Sequence, residues 1–133
     1  METGLTNKHT RYLTATSLLT TISVYYSYKN NYYLSTILTL SVLLSSINYW
    51  RYPIHGFRKD LDNFLVKSTL LIQTILFVLH PYYKYYITFN IVGYLFFLIG
   101  QELRKLEYHW LSVFFHSMLH LFSNIANVCI FTN

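Results

Sequence analysis

What most restricts this chain is where its charges are missing. Five stretches contain no Lys, Arg, Asp or Glu: residues 12–28, 30–50, 68–83, 85–101 and 108–133. A helix needs about 17–25 mostly apolar residues to cross a bilayer's hydrocarbon. The second and fifth stretches meet that length outright, and the fourth just does. The third does once Leu61 to Val66 are added in front, with Lys67 extending its ammonium towards an interface. The first is rich in hydroxyls (Thr14, Thr16, Ser17, Thr20, Thr21, Ser23), which can bond back to the preceding helical turn and so do not forbid insertion. The sequence therefore predicts an all-α, polytopic transmembrane helical bundle of about five spans. These lie near 12–28, 31–50, 61–79, 84–101 and 108–130 in one unit covering 1–133. Four spans is the fallback if the first segment is interfacial.

Composition excludes the competing classes. The chain is 53% hydrophobic, 20% aromatic and 11% charged, against about 25% charged in soluble domains. A soluble core of this length would struggle to hide so many Tyr and Phe. One cysteine, Cys129, rules out a disulfide scaffold, and the clustered charges rule out a standard nucleic-acid module. No small-residue cleavage site follows the first segment, which argues against a removable signal peptide. The expected partners are membrane lipids, with membrane-protein partners or a homo-oligomer left open. Spans this short suit a thin membrane such as the endoplasmic reticulum. The heavy use of Tyr, Asn, Ile, Lys and Phe hints at a viral or organellar membrane.

The breaks carry turn chemistry: Lys29-Asn30-Asn31, the Arg51 to Asp60 segment with Pro53 and Gly56, His80-Pro81, and the charged link from Gln101 to Glu107. With five spans, Lys8, Arg11, Arg51, Arg58, Lys59, Arg104 and Lys105 fall on one side, and Lys29 and Lys84 on the other. The positive-inside rule then puts the N terminus in the cytosol and the C terminus across the membrane. Tyr25-Tyr26, Tyr32-Tyr33, Tyr82-Tyr83 and Tyr85-Tyr86 fall at the far boundary, as an aromatic belt would. Gly93 and Gly100 are expected to mark close helix packing. His80, also at the far boundary, is read as an interfacial residue or a cap.

The last span carries a polar stripe. His109, Ser112, His116, His120, Ser123 and Asn127 recur at steps of three or four, which places them on one helix face. Such a face must point into the bundle or a wet cavity. His116 and His120, at i and i+4, can present two nitrogens to one zinc, although a catalytic zinc wants a third protein ligand. His116 lies about 12 Å in from Tyr108. Ser45, Ser46 and Asn48 close the second span at the same end, His55 follows in the loop, and Asp60 and Asp62 open the third span. Asp60 is explained as a helix cap. Asp62, a turn further in, is the better candidate partner.

The order Ser46-Ile-Asn-Tyr49-Trp50-Arg51, then Asp62, then His116-x-x-x-His120, resembles the CREST superfamily of membrane-embedded metal-dependent hydrolases. That group includes alkaline ceramidases, progestin and adipoQ receptors and enzymes that remodel GPI-anchor lipids. The resemblance implies a zinc held by His116 and His120, with Ser46 and Asp62 organising the metal-bound water or the oxyanion. It implies a lipid amide or ester as substrate. Two features depart from it: Trp50 stands where the family has its first His ligand, and the family has seven spans. His55 or Asp62 would then have to supply the third ligand. Beside this hydrolase stand a non-catalytic membrane subunit whose stripe is interhelical packing, and a weaker reading as a pore or proton path.

Overall fold

The computed structural model describes residues 7–51 and 56–132. Among these, six helices and no strand are found: α1 (Asn7–Ser17), α2 (Thr20–Lys29), α3 (Tyr33–Trp50), α4 (Phe57–Leu76), α5 (Tyr83–Lys105) and α6 (His109–Phe131). Only Leu18 and Leu19 separate α1 from α2, and Leu19 keeps right-handed helical angles (φ −57°, ψ −27°). The amides of Leu18, Leu19, Thr21 and Ile22 each bond the carbonyl three residues back at 2.9–3.1 Å. The join is thus one tightened 3₁₀ turn, and each charge-poor stretch corresponds to one rod.

The ends of the rods differ from the sequence expectation where a charged residue marks the expected boundary. The first begins at Asn7 rather than at 12, and α4 runs Phe57–Leu76 rather than 61–79. Arg58, Lys59 and Asp60 are compatible with helix at a solvated end, so charge limits insertion without ending the helix. Asp60 is accordingly not a cap. The cap position is Gly56, whose φ of 147° suits a residue without Cβ, and Asp60 lies in the first turn, where its carboxylate meets the helix dipole. Likewise α5 continues to Lys105, carrying Arg104 on the helix instead of in a loop. The tight turn after α2 holds Asn31 at φ 68°, a conformation asparagine tolerates. His80 Nδ1 accepts the amide of Tyr82, the residue at the N-cap position of α5, at 3.1 Å.

α6 packs against α5, α1 and α2, while α3 packs against α1, α2 and α4. The α5–α6 contact is close because two glycines allow it. A Cβ at Gly100 would sit 3.2 Å from the Ser112 carbonyl oxygen, and one at Gly93 would sit 3.3 Å from Phe122 Cβ. Phe96 stacks on Phe122 with centroids 5.4 Å apart, beside Phe115 at 5.5 Å. Both α5 and α6 are long and apolar enough to cross a membrane.

Burial runs opposite to that of a soluble domain. Among the described residues, seventeen buried side chains are polar or charged and ten are apolar, whereas soluble cores select Ile, Val, Leu and Phe. The buried face of the first rod reads Thr10, Leu13, Ser17, Thr20, Ser23, Ser27, while Leu18, Ile22, Tyr25 and Tyr28 face outward. Small residues on such a face let helix backbones approach. As expected, hydroxyls bond back to their own helix: Thr14 to the Thr10 carbonyl at 2.8 Å and Ser17 to that of Leu13 at 2.9 Å.

At the far end the tyrosine pairs divide. Tyr25, Tyr33, Tyr82 and Tyr85 are exposed. Tyr26, Tyr32, Tyr83 and Tyr86 instead pack with Phe77, Ile130 and Phe131 in the main apolar cluster. Neighbouring helix positions differ by about 100°, so a pair at a helix boundary sends one ring inward and one outward.

Candidate functional site

The last two turns of α3 bring Ser45 and Ser46 to the face of α4 that carries Asp62. Both hydroxyls donate to the same carboxylate oxygen, Asp62 Oδ1, at 2.9 and 2.8 Å. All three residues are buried. Ser45 also reaches the Val42 carbonyl at 3.1 Å. The sequence expectation that Ser46 and Asp62 meet at one end of the bundle therefore holds. Nearby, Arg51 Nε donates to Asn48 Oδ1 at 3.1 Å and Arg58 Nη1 to the Asn48 carbonyl at 3.3 Å, placing cations over the C-terminal carbonyls of α3.

The α6 stripe also points inward. Ser112 and His116 are buried, and His109, His120, Ser123 and Asn127 are half-buried. The His116 and His120 rings lie 5.0 Å apart between centroids. Two imidazoles bound to one tetrahedral zinc at about 2.0–2.1 Å would have centroids roughly 5 Å apart, a separation that the pair matches. The remaining neighbours do not extend the donor set. Trp50 meets His116 edge-on at 5.1 Å and Phe97 meets it at 5.5 Å. Among the described residues no three His, Cys, Asp or Glu side chains gather in a metal-binding arrangement, so Asp62 does not complete one with the pair. His55 lies outside the described residues. The described side chains supply two ligands and an indole, which does not fit a three-ligand catalytic zinc.

Several contributors were not apparent from the sequence. Asn124 and Ser117 are more buried than most of the stripe, because the inward arc of α6 is wider than a single row of residues. The Ser23 hydroxyl donates to Asn124 Oδ1 and accepts from Asn127 Nδ2, the latter at 3.1 Å. Ser27 and Thr36 join α2 to α3 at 2.9 Å, and Ser112 donates to the Gly100 carbonyl at 2.8 Å across α5–α6. With Ser45 and Ser46 on Asp62, polar ties link α2–α6, α2–α3, α3–α4 and α5–α6. Arg104 is half-buried, with its guanidinium 5.9 Å from the Trp50 ring centroid. By contrast Lys105 pairs with Glu102 at 3.1 Å in a largely exposed bridge, as a solvated link would.

At the basic end, His9 of α1 packs edge-on against Trp110 at 4.4 Å and lies 5.6 Å from the His109 ring. Burial, and then the neighbouring His109 charge, hold the His9 imidazole below the usual histidine range.

No family model, curated protein or solved structure matches this chain.

Proposed function

We propose that this chain is a small multi-pass membrane protein whose five rods cross the bilayer, N terminus cytosolic and C terminus opposite, with a structural rather than catalytic polar interior. The observation that carries this reading is the inverted burial: hydroxyls, amides and imidazoles inside, Leu, Ile, Phe and Tyr outside. In water that surface would favour aggregation. In lipid it is the ordinary solution, because polar groups are satisfied between helices and apolar ones face acyl chains. Four helix interfaces each hold at least one side-chain hydrogen bond, and within the α6 stripe Ser112 and Asn127 make such ties while His109 Nδ1 and His120 Nε2 are enclosed without a partner.

The likeness to CREST proteins lies in the order of a few residues. Ser46 rests on Asp62 and Trp50 rests on His116, which is how that order of residues would be arranged around a site whose first ligand has been replaced. Zinc bound there would activate water for attack on a lipid amide or ester. The Trp50 indole offers no lone pair for it.

A second reading is favoured by the 5.0 Å spacing of the two imidazoles: a hydrolase that completes its site with His55. Zinc per chain in detergent-purified protein separates the two. The structural reading expects the same trace in the wild type and in His116→Ala/His120→Ala, and up to one zinc per chain in Trp50→His. Stoichiometric zinc in the wild type, lost in His116→Ala/His120→Ala and in His55→Ala, would establish the hydrolase site instead.

A further inference from the structure

Resting on the membrane reading above, we propose that Arg104 is the recessed anchor of an anion site that takes a phosphate oxyanion, presented by a phospholipid headgroup or as free phosphate.

Arg104 stands one turn beyond Gly100, where α5 lies closest to α6. Its guanidinium lies over the Trp50 ring at 5.9 Å, within cation–π range. Trp50 is in turn packed against Tyr49 at 4.8 Å and His116 at 5.1 Å. The indole is 4% exposed, so the cation rests on a fixed aromatic floor and not on a mobile surface ring. Arg104 Nε is enclosed and has no hydrogen-bond partner. What remains accessible of this half-buried side chain therefore lies away from Nε.

Among the described residues no carboxylate forms an ion pair with Arg104. Asp62 accepts from Ser45 and Ser46, Glu102 pairs with Lys105, and Glu107 is exposed in a turn with φ 66°. A charge removed from water without a counter-ion is costly. The aromatic floor offsets part of that cost and leaves no anion supplied by the described residues. His109, across the same turn, also holds an enclosed Nδ1 without a partner. This end of the bundle carries Arg58 as well, so its field attracts anions from the cytosolic leaflet. Phosphate suits it because a planar guanidinium presents parallel N–H donors to two oxygens at once.

The test measures retention of phosphatidylglycerol against phosphatidylcholine by native mass spectrometry of the detergent-purified chain, with inorganic phosphate as a separate arm. Wild type should retain the anionic lipid preferentially. Arg104→Gln should retain it at least tenfold less, the loss of one charge-assisted pair, and Arg104→Lys should fall between because it keeps charge without the fork. Arg51→Gln, an exposed arginine at the same end, should change retention less than twofold. If inorganic phosphate competes with the lipid in the wild type but not in Arg104→Gln, free phosphate is a ligand of the same site. Equal retention by wild type and Arg104→Gln overturns the proposal, as does an equal loss in Arg51→Gln, which would indicate only a basic surface. Should the chain be recovered in solution without detergent, the membrane reading fails by itself, while the phosphate arm still reads Arg104.

Discussion

Asp62→Ala removes an acceptor that two serines share, and its cost can be worked from the contacts. The carboxylate receives Ser45 and Ser46 at 2.9 and 2.8 Å, and all three residues are buried. Hydrogen bonds to charged acceptors contribute about 1.5–3 kcal/mol in water-soluble proteins. Interhelical bonds measured in a bilayer average about 0.6 kcal/mol, with a maximum near 1.7. Ser45 keeps its bond to the Val42 carbonyl, so its hydroxyl is not orphaned, and only Ser46 needs a new partner. The expected loss is therefore about 2 kcal/mol, between the sum of two bilayer bonds and that of two charged ones. Asp62→Asn keeps an acceptor oxygen and should lose less than half as much. Ser45→Ala and Ser46→Ala should be non-additive, since each deletion leaves the shared oxygen one donor. Reversible unfolding in mixed dodecyl sulfate micelles, followed by circular dichroism, measures these differences. An Asp62→Ala variant within about 0.5 kcal/mol of the wild type would refute the view that this tie holds α4 to α3.

Gly100→Ala should lower stability in the same assay by about 1–3 kcal/mol, because its Cβ would meet the backbone oxygen of Ser112 at 3.2 Å. Gly93→Ala should cost a similar amount, since Phe122 Cβ at 3.3 Å is fixed to the α6 backbone and cannot swing aside. The end where α1 meets α6 should weaken in mild acid. With the folded-state pKa of His9 held below its unfolded value, the unfolded chain binds the proton more readily. The stability present above about pH 6.5 is then progressively lost as pH falls. Proteolysis near the N terminus should quicken from pH 7.5 to 5.5, and His9→Phe should flatten that profile.

The rods were legible because charge is excluded from their middles, and the turns because Asn30-Asn31, Gly56 and His80-Pro81 fall between helices. The meeting of Ser46 with Asp62 was legible for a related reason: both stand at the same end of adjacent antiparallel rods. Their shared acceptor oxygen depends on rotation of α3 and α4 about their axes, which periodicity constrains only to a face. The same rotation decides that Arg104 lies over Trp50. A lone Arg beside Glu102, Lys105 and Glu107 reads as solvated, and an aromatic–cation contact has no repeat to reveal it. Likewise the tyrosine pairs were visible as boundary markers, while their division into core and outer rings emerges only from helix phase. The stripe of α6 was visible in the sequence, but Ser23, which ties Asn124 and Asn127 to α2, becomes meaningful only once the two helices are set side by side.

A polar interior under an apolar surface requires that the rods cross a bilayer with their polar faces turned inward. Reporter tags at the two ends of the chain, probed for protease access from either side of sealed membrane vesicles, test this directly. The N-terminal tag should be reached only from the cytosolic face and the C-terminal tag only from the other. Both tags on one face would contradict five crossings.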